Sequence, residues 1–293
     1  MIDYRNIIKN REFRLKLIGL LRFIPDKPYL KMVYRIKTGK KLNLEHPVGF
    51  NEKLQWLKLH DQHPEYTQLV DKYEVRDYIK KQIGEDYLFP LIGIWDSFDD
   101  IDFDKLPEQF VLKCTHDSGS VKIIKSKKEI DYKEFRRFFN EKLKRDPFVD
   151  GREYPYKDVK PRIIAEKFMC NHEGKAPNDY KFFCFNGKPE FLFVATDRET
   201  DVTHTVFDMD FNKLDIQYVH HQAIEPIEKP VLFEKMKQLG SELSQGMRFV
   251  RIDLYEIDEK IYFGEFTFFP AGGFYLFSPP EWEKRFGDLV ILD

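Results

Sequence analysis

The stretch RIDLYEIDEKIYFGEFTFFPAGG, residues 251–273, decides how the rest of the chain is read. It sets Asp253 and Glu265 on two strand-like runs either side of a turn at Asp258-Glu259-Lys260, and it ends in Pro-Ala-Gly-Gly. Asp is depleted in strands, so a strand aspartate asks for a reason. One reading is an ordinary hairpin with solvated edges. In the other the runs pair, both carboxylates share a face, and like charges so placed repel unless a cation lies between them. Mg²⁺ is commonly held by one or two carboxylates together with nucleotide phosphates. Arg251, two positions before Asp253, has the same side-chain direction in a strand and points to the same place, where it could steady developing charge.

The bulk numbers narrow the setting. A chain of 293 residues, 42% hydrophobic and 33% charged, describes a soluble globular protein, and such a length suits about one to three domains. Its 48 basic and 50 acidic residues leave a net charge of −2, so no overall basicity points to nucleic acid. Cys114, Cys170 and Cys184 lack metal-ligand spacing and read as scattered thiols of a cytoplasmic protein. No apolar run reaches the roughly 18 residues of a spanning helix, and the start lacks the order of a signal peptide. Residues 10–41 (NREFRLKLIGLLRFIPDKPYLKMVYRIKTGKK) interleave apolar and basic residues, broken around Pro25–Pro28. This segment reads as an amphipathic helix docked on the body with its basic face in water. The sharper alternative rests residues 10–40 on anionic headgroups at the inner membrane face, or on a polysaccharide-assembly partner.

Further along, residues 51–84 have helix-forming composition and end at Gly84, and YLFPLIGIWDSF (87–98) reads as a short strand with its exit. FVLKCTHDSGSVKII (110–124) is two β-rich runs around a polar turn, and 127–145 is a charged helix. DYKFFCFNGKPEFLFVATDR (179–198) is a hairpin with Asn186-Gly187 at its tip, followed by a helix in VLFEKMKQLGSELSQGM (231–247).

Several segments offer parts of a nucleotide site. Lys113 sits in a strand just before Ser118-Gly119-Ser120, where small residues let backbone N–H groups face an anion; a flexible hairpin tip is the plain alternative. No Walker motif is present. RIIAEKFM ends a strand at Glu166, with Lys167, Phe168 and Met169 running out of it, which suits the edge and faces of an adenine or a solvated strand end equally. Asp179 and Lys181 open the first hairpin, and Lys181 is a candidate for contacting a γ-phosphate. His116 lies inside the turn, His220-His221 reads as a loop or strand end, and Asp208-Met209-Asp210 reads as a turn despite its D-x-D spacing.

In this order the pieces resemble the ATP-grasp fold, with the D-alanine–D-alanine ligases and their relatives as the comparison. More specifically, FNEKLQWLKLHDQHPEYTQLVDKYEVRDYI, LPEQFVLKCTHDSGSV and RIIAEKFM resemble the TupA-like ATP-grasp family, named for a teichuronopeptide biosynthesis protein and found among bacterial surface-polysaccharide genes. The resemblance covers roughly residues 25–285. It implies an α+β protein that holds ATP between two α/β subdomains, with an N-terminal helical segment (1–50), an N-terminal subdomain (51–107), a central lid (108–169) and a C-terminal subdomain with the metal site (170–293). It further implies that Arg76, Lys113 and the Ser118–Ser120 turn contact phosphates, that Glu166–Met169 clasps adenine, and that Asp179 lies near the ribose. Asp253 and Glu265 would hold Mg²⁺, while Arg251 and a backbone N–H of Gly272 or Gly273 would stabilise an oxyanion. Thr267 stands where ATP-grasp enzymes usually carry Asn, and its hydroxyl can ligate Mg²⁺, leaving one or two metals open. The activity implied is a carboxylate–amine ligase that joins a small amine to a uronic acid of a surface polysaccharide through an acyl-phosphate. A sugar kinase on the same fold and a glycosyltransferase are the alternatives.

Overall fold

The computed structural model describes residues 21–171, 174–197 and 201–292. The part of the amphipathic segment before residue 21 lies outside them. Helix α1 (Asp26–Thr38) starts after Pro25 and stops at Gly39, whose φ of 73° ends it in the left-handed region. The helix-rich stretch at 51–84 forms three helices: α2 (Phe50–His60), α3 (Glu65–Val70) and α4 (Val75–Gln82). Pro64 stands at the start of the second, and the Asp71 carboxylate accepts the Tyr73 and Glu74 N–H groups to start the last.

A four-stranded sheet follows, built from β1 (Leu91–Trp95), β2 (Phe110–Cys114), β3 (Val121–Ile124) and β4 (Ile163–Lys167) in the order β1-β4-β2-β3, all antiparallel. Because β1 pairs with β4, this sheet draws an edge from residues before 108 and is wider than the expected 108–169 lid. Its inner face packs Phe110, Leu112 and Ile163 against Phe139 of α5 (Tyr132–Leu143). Asp131 caps α5 by accepting the Lys133 and Glu134 N–H groups, and the short α6 (Pro147–Gly151) leads back to β4.

The second sheet has six antiparallel strands, β5 (Asp179–Phe185), β6 (Lys188–Thr196), β7 (Thr203–Asp208), β8 (Lys213–Leu214), β9 (Phe249–Ile257) and β10 (Lys260–Thr267), in the order β10-β9-β5-β6-β7-β8. The β5–β6 turn falls on Asn186-Gly187, both with positive φ. Helix α7 (Phe233–Leu243) covers one face through Phe233, Met236 and Leu239. The opposite face is divided along the strands. At one end Phe183, Phe185, Phe191 and Phe249 pack under Phe50 of α2 and Phe286 of α8 (Glu281–Leu289), with centroids 5.0 Å (Phe50–Phe249) and 3.8 Å (Phe191–Phe286) apart. At the other end the same face turns polar and is left to a cleft.

That division depends on one residue. β9 and β10 pair Phe263 with Leu254 but Glu265 with Asp253, so Gly264 is an extra residue, a β-bulge. Without it Glu265 would lie opposite Ile252 and face α7, since a one-residue slip turns every side chain over. A Cβ on Gly264 would meet the Tyr255 ring at 2.8 Å and the Asp253 carbonyl oxygen at 3.0 Å, so the bulge needs glycine.

Candidate functional site

A cleft of about 690 Å³ separates the two sheets. From the small sheet, Lys113 and Glu166 project into it from neighbouring strands, and Lys113 Nζ lies 2.6 Å from Glu166 Oε2. Arg76 of α4 reaches the other oxygen of Glu166 at 3.3 Å and donates to the Phe89 carbonyl at 2.9 Å. Lys113 also sits 5.7 Å over the ring of Phe89, which stacks on Tyr262.

The large sheet answers with a denser set. Lys181 Nζ lies 2.5 Å from both Asp179 Oδ2 and Asp253 Oδ2. Arg251 is bidentate on Asp253, at 2.7 Å to each oxygen, and its Nη2 also reaches Glu265 Oε1 at 3.0 Å. Tyr255 donates its hydroxyl to Asp179 Oδ2 at 3.2 Å. Burial alone would raise the Asp253 carboxyl, but Arg251 and Lys181 hold it below the usual carboxylate range. Burial works against Arg251's charge, and the Asp253 and Glu265 carboxylates override it and raise its affinity for the proton.

These contacts bring together Arg76, Lys113, Ser118, Gly119, Glu166, Lys167, Phe168, Met169, Asp179, Lys181, Arg251, Asp253 and Glu265 around one cleft. Four expected members stand elsewhere. Ser120 is buried and its hydroxyl donates to the Asp117 carboxylate, so it braces the turn from behind. Thr267 does not line the cleft; its hydroxyl donates to Glu265 Oε1 at 3.0 Å, which fixes that carboxylate. Gly272 and Gly273 belong to a turn outside the cleft lining, where the Gly272 N–H is already given to the Phe269 carbonyl at 2.8 Å. Their carbonyls are held by α2. Gln55 Nε2 donates to Gly273 at 2.6 Å, and Lys58 Nζ donates to Gly272 at 2.7 Å and to Gly151 at 2.8 Å. The Gly272 N–H would have to leave the Phe269 carbonyl to serve an oxyanion. His116 is likewise buried behind the turn, where desolvation pushes its imidazole below the ordinary value, and it does not line the cleft.

Arg251 bridges the paired carboxylates. The donor set nonetheless fits a hard divalent ion. Asp253 and Glu265 are register partners on adjacent strands, both line the cleft, and the Glu265 side chain is 39% exposed against 2% for Asp253. An all-oxygen pair suits Mg²⁺ rather than Zn²⁺.

Sequence reading missed the apolar half of the cleft. Val121 and Ile123, two apart on β3, stand 38% and 49% exposed and line it with Leu88, Phe89 and Phe263. Apolar residues at i and i+2 of an edge strand were the available signal. Lys72 was also missed; it lines the cleft and its Nζ donates to the Asp117 carbonyl, clamping the turn.

β7 carries His204 on the same sheet face as Asp179 and Lys181, through the register Asp179–Ala195–His204. Burial, then His220 (ring centroid 4.6 Å away), Lys181 and Arg251, press its imidazole down to about 3. Because the unfolded chain binds that proton near pH 6.5 and the folded one does not, stability rises with pH through this window. Folding free energy should therefore fall by up to about 1.4 kcal/mol per pH unit between about pH 6 and pH 4. Urea titrations of the wild type and His204→Asn check this: the variant loses that share of the slope. Asp208, by contrast, is the turn its sequence suggested, its Oδ1 accepting the Asp210 and Asn212 N–H groups.

The sequence model of a family described as TupA-like ATP-grasp matches residues 52–291. The chain belongs to the TupA-like ATP-grasp family. No curated protein matches it in sequence. Among solved structures it is similar to a D-alanine–D-alanine ligase from Bacillus anthracis, at 16% identity and a TM-score of 0.43 over 76% of this chain and 66% of that one. It is also similar to the Helicobacter pylori D-alanine–D-alanine ligase (12%, TM-score 0.42, 76% and 59%) and to N5-carboxyaminoimidazole ribonucleotide synthetase from Thermus thermophilus (9%, TM-score 0.39, 74% and 47%). The TupA-like chain spans about half to two thirds of the length of these structures. Its two antiparallel sheets with a cleft between them are the arrangement expected of an ATP-grasp protein. Among the described residues no helix is long and apolar enough to cross a membrane.

Proposed function

We propose that this protein is an ATP-dependent carboxylate–amine ligase. The observation that carries the reading is the division of one cleft into an apolar half, walled by Val121, Ile123, Phe89 and Phe263, and a charged half where Lys113 and Lys181 approach from opposite sheets. A nucleotide needs that arrangement: flat apolar walls for a base, and cations with a divalent ion for the polyphosphate. Lys113, Arg76 and Lys181 would bind and orient the phosphates, exchanging their present carboxylate partners for phosphate oxygens. Asp253 and Glu265 would hold Mg²⁺, which when bound neutralises charge on the phosphates. Thr267 keeps Glu265 turned toward the cleft, and Arg251 supplies fixed positive charge beside the reacting end.

In the reaction a substrate carboxylate oxygen attacks the γ-phosphorus and ADP leaves. An amine then attacks the acyl carbon, phosphate leaves, and the amine's proton passes to solvent. The acceptor we propose is the carboxylate of a uronic acid in a surface polysaccharide or its precursor, and the amine an amino acid or small amine; the choice rests on the sequence resemblance to a family named for a teichuronopeptide biosynthesis protein. The test is incubation with ATP, Mg²⁺ and a panel of uronic acids and amines, read by mass. A product formed from both substrates with loss of water is expected. Addition of phosphate alone would make the protein a kinase. Thermal stabilisation by UDP-sugars and not by Mg·ATP would favour a glycosyltransferase and overturn the reading.

A further inference from the structure

Helix α1 has two unlike sides. Leu30 and Tyr34, four apart, are buried against the body with Tyr29, Leu42, Leu44 and Phe274. Lys27, Lys31 and Arg35, also four apart, form a stripe along the outer side and are all exposed. The stripe is bracketed by apolar side chains left in water, Phe23 at 85% exposure before it and Ile36 at 54% near its end. Lys40 and Lys41, both exposed, extend the charge past the helix.

The segregation of charge is strong. Residues Arg22–Lys41 hold seven basic residues and one acidic, in a chain whose net charge is −2. That single acid, Asp26, is drawn off by Arg152, whose Nε lies 3.3 Å from it. The preceding sequence adds Arg11, Arg14 and Lys16 against one acid, Glu12, among leucines and isoleucines. Cations in a row with exposed large apolar groups at each end match the composition of a lipid interface, where headgroup phosphates meet the charges and acyl chains take up the apolar groups. A soluble polyanion would satisfy the cations and leave Phe23 and Ile36 in water.

We propose that the outer side of α1, with Phe23 and Ile36, docks on an anionic lipid surface. The helix leans on Phe274, directly after the Pro270–Gly273 turn that follows β10, and Lys37 Nζ stands 4.5 Å over that ring. A docked α1 thus presents to the membrane the side of the molecule that carries this turn. Docking is measured without nucleotide, so it stands apart from the reading of the cleft.

The full chain is sedimented with vesicles of phosphatidylcholine, and of phosphatidylcholine mixed with phosphatidylglycerol, at low and high salt. Binding to the anionic vesicles alone, weakening as salt rises, is expected. The triple variant Lys27→Glu/Lys31→Glu/Arg35→Glu should bind at least about a hundredfold more weakly. Phe23→Ser/Ile36→Ser should weaken binding while keeping its salt dependence. All of these side chains are solvent-facing or half so, and unchanged melting confirms that each variant folds. Equal binding to neutral vesicles, no binding to either, an undiminished triple variant, or capture by a soluble polyuronate in place of vesicles would each overturn the proposal.

Discussion

Glu265→Gln is expected to lower ATP turnover roughly a thousandfold, the several kcal/mol that charge neutralisation by a bound divalent ion supplies. The same change should leave the fold almost untouched. Glu265 is 39% exposed and shares Arg251 with Asp253, so losing its charge costs at most about 1 kcal/mol. Asp253→Asn separates the two effects. Asp253 is 2% exposed and takes Arg251 and Lys181 at once, so its neutralisation removes the carboxylate that two enclosed cations share and leaves Lys181 to Asp179 and Arg251 to Glu265. That costs about 3–5 kcal/mol of stability as well as turnover. From the sequence the two carboxylates look equivalent; in the fold only Glu265 tests the chemistry cleanly. Steady-state ADP release and thermal melting on both variants check this. Wild-type turnover in Glu265→Gln would remove the carboxylate pair from the mechanism.

What was legible in the sequence followed from short-range rules. Asn186-Gly187 and Asp258-Glu259 fix two hairpin tips, and counting outward from the second puts Asp253 near Glu265. The facing of those two carboxylates is less local than that count implies, since it rests on the Gly264 bulge, which the count ignores. The contact of Lys113 with Glu166 joins residues 53 apart and exists only because β2 pairs with β4. A second long-range pairing, of β1 with β4, pulls Leu91–Trp95 into the small sheet, which no local pattern announces. The expected residues that stand outside the cleft lining share a feature. Ser120, Thr267, Gly272 and Gly273 have the right chemistry near the right strands, yet each has already spent its polar group or its contact on a neighbour. Sequence shows which groups are available in principle; only the fold shows which are already engaged.

Arg251 is the residue whose part changes most, from a charge expected beside a metal to the cation that bridges the two carboxylates proposed to hold Mg²⁺. Arg251→Met should lower stability by about 3–5 kcal/mol, because Asp253 and Glu265 then face each other with Lys181 alone beside them. For a chain of this size that is a fall of roughly 5–8 °C in melting temperature. Added Mg²⁺ should return part of it, since a divalent ion between the carboxylates does what the guanidinium did. At about a hundred times its dissociation constant such an ion contributes about 2.7 kcal/mol. In the wild type the same ion has first to displace or share with Arg251, so its shift should be smaller. Melting curves with and without MgCl₂, against NaCl at matched ionic strength, separate specific binding from screening. The comparison needs no turnover, so it tests the metal site even where the substrates are wrong. Equal Mg²⁺ shifts in both proteins would mean that these carboxylates exist to hold Arg251 and take no metal.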